Sequence, residues 1–287
     1  MAAMSELPTV VVPVFNAFEA LDACLASLDR TLPPGSPVWI CDDASTDPRI
    51  APLLSGWSRR SALAVGLARC DDNLGFVGNV NRAMAETAPA DVVLLNSDTV
   101  ATVGWLARIA ACADSDARIA TITPWSNNAE ICSFPRFIEA NPVPDDADRI
   151  AEAAASAGPP VYPELPTAVG FCMYVRRAAW TQCGGFDAAT FGRGYGEEND
   201  FSLRVAGMGW RNVLCDTAYV VHAGNASFGP LGQGPGGDNL ARLNARWPDY
   251  NQRIAQFIMA DPLRPLRDRL QARLEAMDHG HGQMALF

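Results

Sequence analysis

The chain has 287 residues, 49% of them hydrophobic and 19% charged, and its 32 acids against 22 bases give a net charge of -10. That is enough for one large globular domain or two small ones, and it suits neither a nucleic-acid backbone nor an anionic bilayer. All 22 bases are arginine, which excludes P-loop phosphate binding, Schiff-base chemistry and any lysine-armed nucleophile.

The first strand is predicted at 9–14 (TVVVPV), followed by a helix from Phe18 to Leu28 and a second strand at 38–41 (VWIC) that ends in acids. A helix from Arg49 to Arg60 leads to ALAVGLA (62–68), a helix over 78–86, the strand DVVLL (91–95), a helix near 103–113 and a strand at 119–123. Short apolar strands alternating with amphipathic helices predict a mostly parallel sheet covered on both faces. Residues 141–166, rich in Pro, Ala and Asp, read as a surface excursion with one short helix at 147–156. A strand at 167–175, a GGFD turn, a helix begun near Glu198 and a strand at 212–222 complete the sheet with mixed direction. Helical segments broken by proline at 262–265 follow from Gly237 onward. No apolar run reaches the roughly 18 residues of a membrane span, and the first 20 residues lack a secretory pattern, so a cytosolic location is expected.

Ligands gather at the carboxyl ends of parallel strands, which singles out Phe15 and Asn16, Asp42 and Asp43, and Asn96-Ser97-Asp98. The acids of CDDASTD (41–47) suit a turn that caps the next helix, or a carboxylate that accepts the imide N–H of uracil or thymine or a ribose hydroxyl. Phe15, at the neighbouring strand end, suits stacking on a base. Asp98 fits a helix N-cap or a ligand to a hard divalent cation bridging a diphosphate, with uncharged Asn96 beside it leaving a lean metal site. Glu197, Glu198 and Asp200 open a helix, where the dipole favours acids; clustered carboxylates also raise one another's pKa, which suits a general base. Eight cysteines without a CxxC pair read as buried free thiols. Of three histidines only His222 belongs to a folded site, the pair at 279 and 281 falling in a polar tail.

The succession VVVPVFNA, DDASTD, NLGFVGNVNRAM, LLNSDT, GFCMYVRR, GGFD and GYGEENDFSLR resembles family 2 glycosyltransferases of the GT-A fold, most of all the bacterial branch that builds surface polysaccharide or O-antigen. The resemblance implies a GT-A domain over 1–228 and a C-terminal helical extension with a flexible tail over 229–287. It implies an inverting transfer of a sugar from a UDP- or dTDP-sugar to a hydroxyl of a saccharide or lipid-linked acceptor at the inner face of a membrane. Pro13, Phe15, Asn16, Asp43, Asn73, Gly75 and Asn96 fall on the family's nucleotide-binding positions, with Phe15 where Tyr is common and Asn96 where the first acid of the DxD metal motif stands. Asp98 falls on a metal ligand for Mn2+ or Mg2+. His222, followed by AGNASFG, matches a late second ligand; a hydrogen-bonded structural histidine is the competing reading. Glu198 falls on the catalytic base, usually Asp, with Glu197 positioning the acceptor or holding the loop and Asp200 capping the helix or pairing with Arg204. The absence of GxGxxG after the first strand excludes a dinucleotide oxidoreductase. A nucleotide-sugar-binding module without turnover is the alternative. The Arg-rich C-terminal helices suit packing on the core, self-association or attachment to another domain.

Overall fold

The computed structural model describes residues 7–224 and 238–284, with side chains to 279. The 228/229 boundary and the end of the AGNASFG run lie outside these residues.

Four parallel strands form the first half of the sheet: β1 (Thr9–Val14), β2 (Pro37–Asp42), β3 (Ala64–Arg69) and β4 (Val92–Leu95). Their connections are α1 (Phe18–Thr31), α2 (Ile50–Arg60) and α3 (Gly75–Glu86). Val10 and Val12 enter one core and Val11 the other, so both strand faces are buried and the run is apolar without alternation. Helix α1 meets the first core through Leu21, Cys24, Leu25 and Leu28, at the three- and four-residue spacing of one helical face.

The second half comprises β5 (Thr99–Ala101), α4 (Trp105–Ser115), β6 (Ile119–Trp125), a 3-10 turn (Glu130–Cys132), α5 (Ala147–Ser156) and β7 (Cys172–Val175). Then come α6 (Arg177–Cys183), α7 (Ala188–Phe191), α8 (Glu197–Gly207) and β8 (Arg211–His222). The strand order is β3-β2-β1-β4-β7-β6-β8-β5. Antiparallel β7 lies between β4 and β6, which gives the mixed direction expected from sequence. Strand β5, two short helices flanking GGFD and the shortness of β7 were not foreseen. Residues 167–171 form no strand, because their backbone bonds outward: the Ala168 N–H donates to Ser202 Oγ at 3.0 Å and the Val169 N–H to Thr123 Oγ1 at 3.1 Å.

The chain ends in α9 (Asp238–Arg246), α10 (Tyr250–Ala260) and α11 (Arg264–Met284). These helices pack on the body: Leu243 enters one core, and Leu263 and Leu270 the other. Helix α11 continues through the histidines at 279 and 281, so the predicted polar tail is helical to Met284. The eight cysteines are free, seven of them buried. Among the described residues no helix is long and apolar enough to cross a membrane.

Candidate active site

The acid pair at the end of β2 divides its labour. Asp42 braces the turn: its Oδ1 accepts from the Ser45 N–H at 3.0 Å, and its Oδ2 pairs with Arg69 Nη1. Asp43, 3% exposed, points to the neighbouring loop, where its Oδ1 accepts the Leu74 N–H at 2.7 Å. Burial raises its pKa above the ordinary carboxylate value, against the backbone amides of Leu74 and Gly75 and the charge of Arg193. Asn73 closes this loop, donating from Nδ2 to the Asp43 carbonyl at 3.1 Å and accepting the Gly75 N–H at 3.2 Å. Gly75 has φ of +73°, and a Cβ there would stand 2.9 Å from the Arg193 backbone; any other residue would push these loops apart.

Asn16 is occupied within the protein. Its side-chain oxygen accepts the N–H groups of Thr46 at 2.8 Å and Asp47 at 2.9 Å, tying the end of β1 to the acidic loop. Pro13 is buried inside β1, opposite Cys41. Phe15 follows the last residue of β1 and is half-buried.

Asp98 and His222 meet. They lie 124 positions apart in the chain, yet β5 pairs with β8 so that Thr99 faces His222. His222 Nε2 stands 3.5 Å from Asp98 Oδ1. The ring is fixed from two other sides: Nδ1 donates to the Asn128 carbonyl at 2.7 Å, and Phe171 stacks on it at 5.2 Å between centroids. Since a carbonyl only accepts, Nδ1 carries the proton in the neutral ring, and Nε2 is left to face the carboxylate. Burial works against a charged ring, but the hydrogen bond and charge of Asp98, with the Asn128 carbonyl, outweigh it and raise the pKa of His222. Asn96 sits beside them, half-buried, its N–H donating to the Phe171 carbonyl at 2.8 Å.

The acids of α8 separate into two groups. Glu197 and Glu198 hydrogen-bond to each other, and each leaves Oε2 buried without a partner. Desolvation lifts both; Glu198 reaches about 7, with the nearby charge of Glu130 adding to the effect, and Glu197 lies well above the usual carboxylate range, helped by the charge of Glu198. Glu197 and Glu198 lie together in the first turn of α8, and Asp200 stands apart from them. Asp200 is fully buried and points away: it accepts from Arg204 Nε at 2.7 Å, Arg246 Nη1 at 3.0 Å and Trp247 Nε1 at 2.9 Å. The pairing with Arg204 is there; the capping role is not, since Gly196 precedes the helix without a side-chain cap. Asp200→Ala is expected to cost about 3 kcal/mol, the low end for breaking a buried pair because Arg246 is partly solvated. A lower urea midpoint at unchanged slope checks it.

Residues 168–171 join these parts. Gly170 lies against Glu198, with an ideal Cβ 3.6 Å from its Cγ, while Phe171 holds both Asn96 and His222. The Tyr195 phenol is raised by burial and then by the charges of Glu198, Glu197 and Asp98. Sequence reasoning passed over Phe171, Tyr195, Glu130 and Tyr250. Glu130 acts on Glu198 from the 3-10 turn, and the charges of Glu130 and Glu198 add to burial in raising the phenol of Tyr250 on α10. A ring at Phe171 inside the quoted GFCMYV was a readable signal; nothing local marked Tyr250.

Among the described residues no third His, Cys, Asp or Glu joins Asp98 and His222. The pair itself fits a divalent cation: one carboxylate oxygen and one imidazole nitrogen whose orientation is fixed from behind, 3.5 Å apart, a spacing that two ligands about 2.1 Å from one ion can span.

In comparison with known proteins, the Glycosyl transferase family 2 profile matches residues 9–180, more than half of the chain. Among solved structures, GalNAc-T7 with UDP, GalNAc and Mn2+ superposes with a TM-score of 0.64 at 15% identity, over 94% of this chain and 55% of that one. TarS 1-349 of S. aureus in complex with UDP-GlcNAc gives 0.53 at 18%, over 74% and 57%. The mannosyltransferase PcManGT from Pyrobaculum calidifontis with GDP-Man and Mn2+ gives 0.57 at 16%, over 99% and 82%. The chain thus spans a little over half the length of the first two. No curated protein sequence matches it with significance.

Proposed function

The chain belongs to glycosyl transferase family 2 and has the GT-A fold, and on that premise we propose that it moves a sugar from a UDP- or dTDP-sugar to a hydroxyl of a saccharide or lipid-linked acceptor, with inversion, in polysaccharide assembly. The observation that carries this reading is the way the adjacent residues Gly170 and Phe171 join two pairs of side chains: Phe171 stacks on His222, which faces Asp98, and Gly170 lies against Glu198, which is paired with Glu197. Asp98 and His222 would hold a manganese or magnesium ion, water and the diphosphate filling its remaining positions. When bound, such an ion neutralises charge on the leaving diphosphate.

The chain's own residues account for the rest. Asp43, its carboxylate fixed on the loop after Asn73, accepts from the base, and Phe15 supplies the ring beside it. Glu198, with a pKa near neutrality and a free buried oxygen, takes the proton of the acceptor hydroxyl as that oxygen attacks the anomeric carbon from the side opposite the diphosphate. Glu197 holds the shared hydrogen bond that orients it. A single displacement needs one base and no enzyme nucleophile.

Calorimetry with uridine, thymidine and guanosine diphosphates in manganese tests the base-reading part. Uridine or thymidine diphosphate is expected to bind best, and Asp43→Asn, which swaps an acceptor for a group that also donates, to weaken it by about 1–3 kcal/mol. Unchanged affinity in Asp43→Asn would leave both acids as turn residues and remove the uracil or thymine preference from the proposal.

A further inference from the structure

The base stands on a glycine-rich turn with few backbone bonds of its own, from the Gly192 N–H to the Ala188 carbonyl at 3.0 Å and from the Gly194 N–H to the Phe191 carbonyl at 3.2 Å. Between α7 and α8, Gly192, Gly194, Tyr195 and Gly196 have φ of +56°, +134°, +70° and +99°. Three glycines in five residues carry a large conformational entropy, and a tyrosine in the left-handed region adds strain. Glu198 follows Gly196 by two residues, so small movement of this turn displaces its carboxyl directly.

The far end of the chain, together with the Phe76 N–H that donates to the Arg193 carbonyl at 3.1 Å, braces the turn from outside. Asn239, in the first turn of α9, donates both hydrogens of its side-chain nitrogen to it: one to the Phe191 carbonyl at 2.8 Å, the other to the Gly194 carbonyl at 2.6 Å. Arg242 Nη1 donates to Asn239 Oδ1 at 2.8 Å, which fixes which end of the carboxamide faces the turn, and to the Thr190 carbonyl at 2.9 Å. Arg246 continues the seam to Asp187, Thr190 and Asp200. Asn239, Arg242 and Arg246 fall at intervals of three and four, so one face of α9 runs along the turn from α7 to the start of α8.

We infer that Asn239 is a positioning residue for the transfer: through two backbone carbonyls it fixes the glycine turn that sets where Glu198 stands. The inference rests on the reading of Glu198 as the base. It also makes α9 part of the reacting half of the molecule rather than an appended helix.

The test uses the full chain with Asn239→Ala and, as a second variant that removes only the lock on the carboxamide, Arg242→Ala. Asn239 is half-exposed, so folding should survive its loss. Backbone hydrogen exchange should accelerate across 191–200 and nowhere else in Asn239→Ala, less so in Arg242→Ala. Turnover is followed with UDP-glucose, UDP-GlcNAc or dTDP-rhamnose, whichever the parent uses. Its kcat should fall roughly 10- to 100-fold, with the donor KM within about twofold, as for a small misplacement of a catalytic group. The pH midpoint of kcat should move below the parent's, because a looser turn admits water to the acid pair, which otherwise faces Glu130, Tyr195 and Tyr250. Unchanged exchange overturns the proposal. Faster exchange with parental kcat and midpoint also overturns it, since Asn239 is then a brace without influence on the base. Glu198→Gln runs beside these variants: turnover retained there overturns the base reading itself, while turnover lost there but parental in Asn239→Ala overturns only the positioning role.

Discussion

Glu198→Gln is expected to lower sugar transfer by roughly 100-fold or more while donor binding stays within about twofold of the parent, because the amide keeps the shape and hydrogen bonding of the carboxyl but cannot take a proton. Two signs of pH dependence accompany this. Transfer by the parent should rise with pH through about 7, where the Glu197 and Glu198 pair loses its shared proton. Stability should run the other way. The folded state binds that proton more tightly than the unfolded chain, whose glutamates titrate near 4.5, so this contribution is fully present below about 4.5 and is lost as pH rises through about 7. Thermal unfolding at pH 5 and pH 8 should therefore show Glu198→Gln gaining on the parent at the higher pH. A variant that keeps near-parental transfer, with Glu197→Gln losing it, would move the base by one residue within the pair.

Asp98→Ala should abolish manganese-dependent binding of the nucleoside diphosphate. Asp98 is the one carboxylate in the proposed cation site, and the loss should be at least the roughly 10- to 100-fold that removing even an outer partner costs a metal site. His222→Ala should weaken the same binding by less, since a charged ligand remains. Calorimetry with and without manganese reads both: the variants should match the parent in the absence of the metal and differ in its presence. Equal manganese dependence in the parent and Asp98→Ala would return Asp98 to the role of a turn residue. Retained dependence in His222→Ala, with a lower melting temperature, would make the histidine a structural one stacked on Phe171.

How much of this was legible differs from residue to residue. The Glu197-Glu198-Asp200 cluster could be read as special, but not which acid is structural. That was decided by Arg246 and Trp247, brought to Asp200 by a helix 46 and 47 positions downstream. Asp42 and Asp43 are identical in type and adjacent in sequence. Only the approach of Arg69 to one and of the Leu74 amide to the other separates a brace from a candidate ligand-facing group. Residues 167–171 look like the start of β7, apolar and β-prone, yet Ser202 and Thr123 take their N–H groups. Tertiary hydrogen bonds overrode local propensity there.

Local sequence by itself determined the main elements and their order, though not β5, α6 or α7: unbroken apolar strands buried on both faces, helices with one apolar stripe, and polar residues just past strand ends, where a parallel sheet collects ligands. Those features depend on neighbours within a few residues, so a single chain displays them. The tertiary structure alone decided which distant groups meet. The pairing of β5 with β8 set Asp98 beside His222, residues 168–171 spanned from His222 to Glu198, and α9 laid Asn239 on the glycine turn. Each of these contacts closes a loop of dozens of residues, and no local periodicity or spacing encodes which loops close.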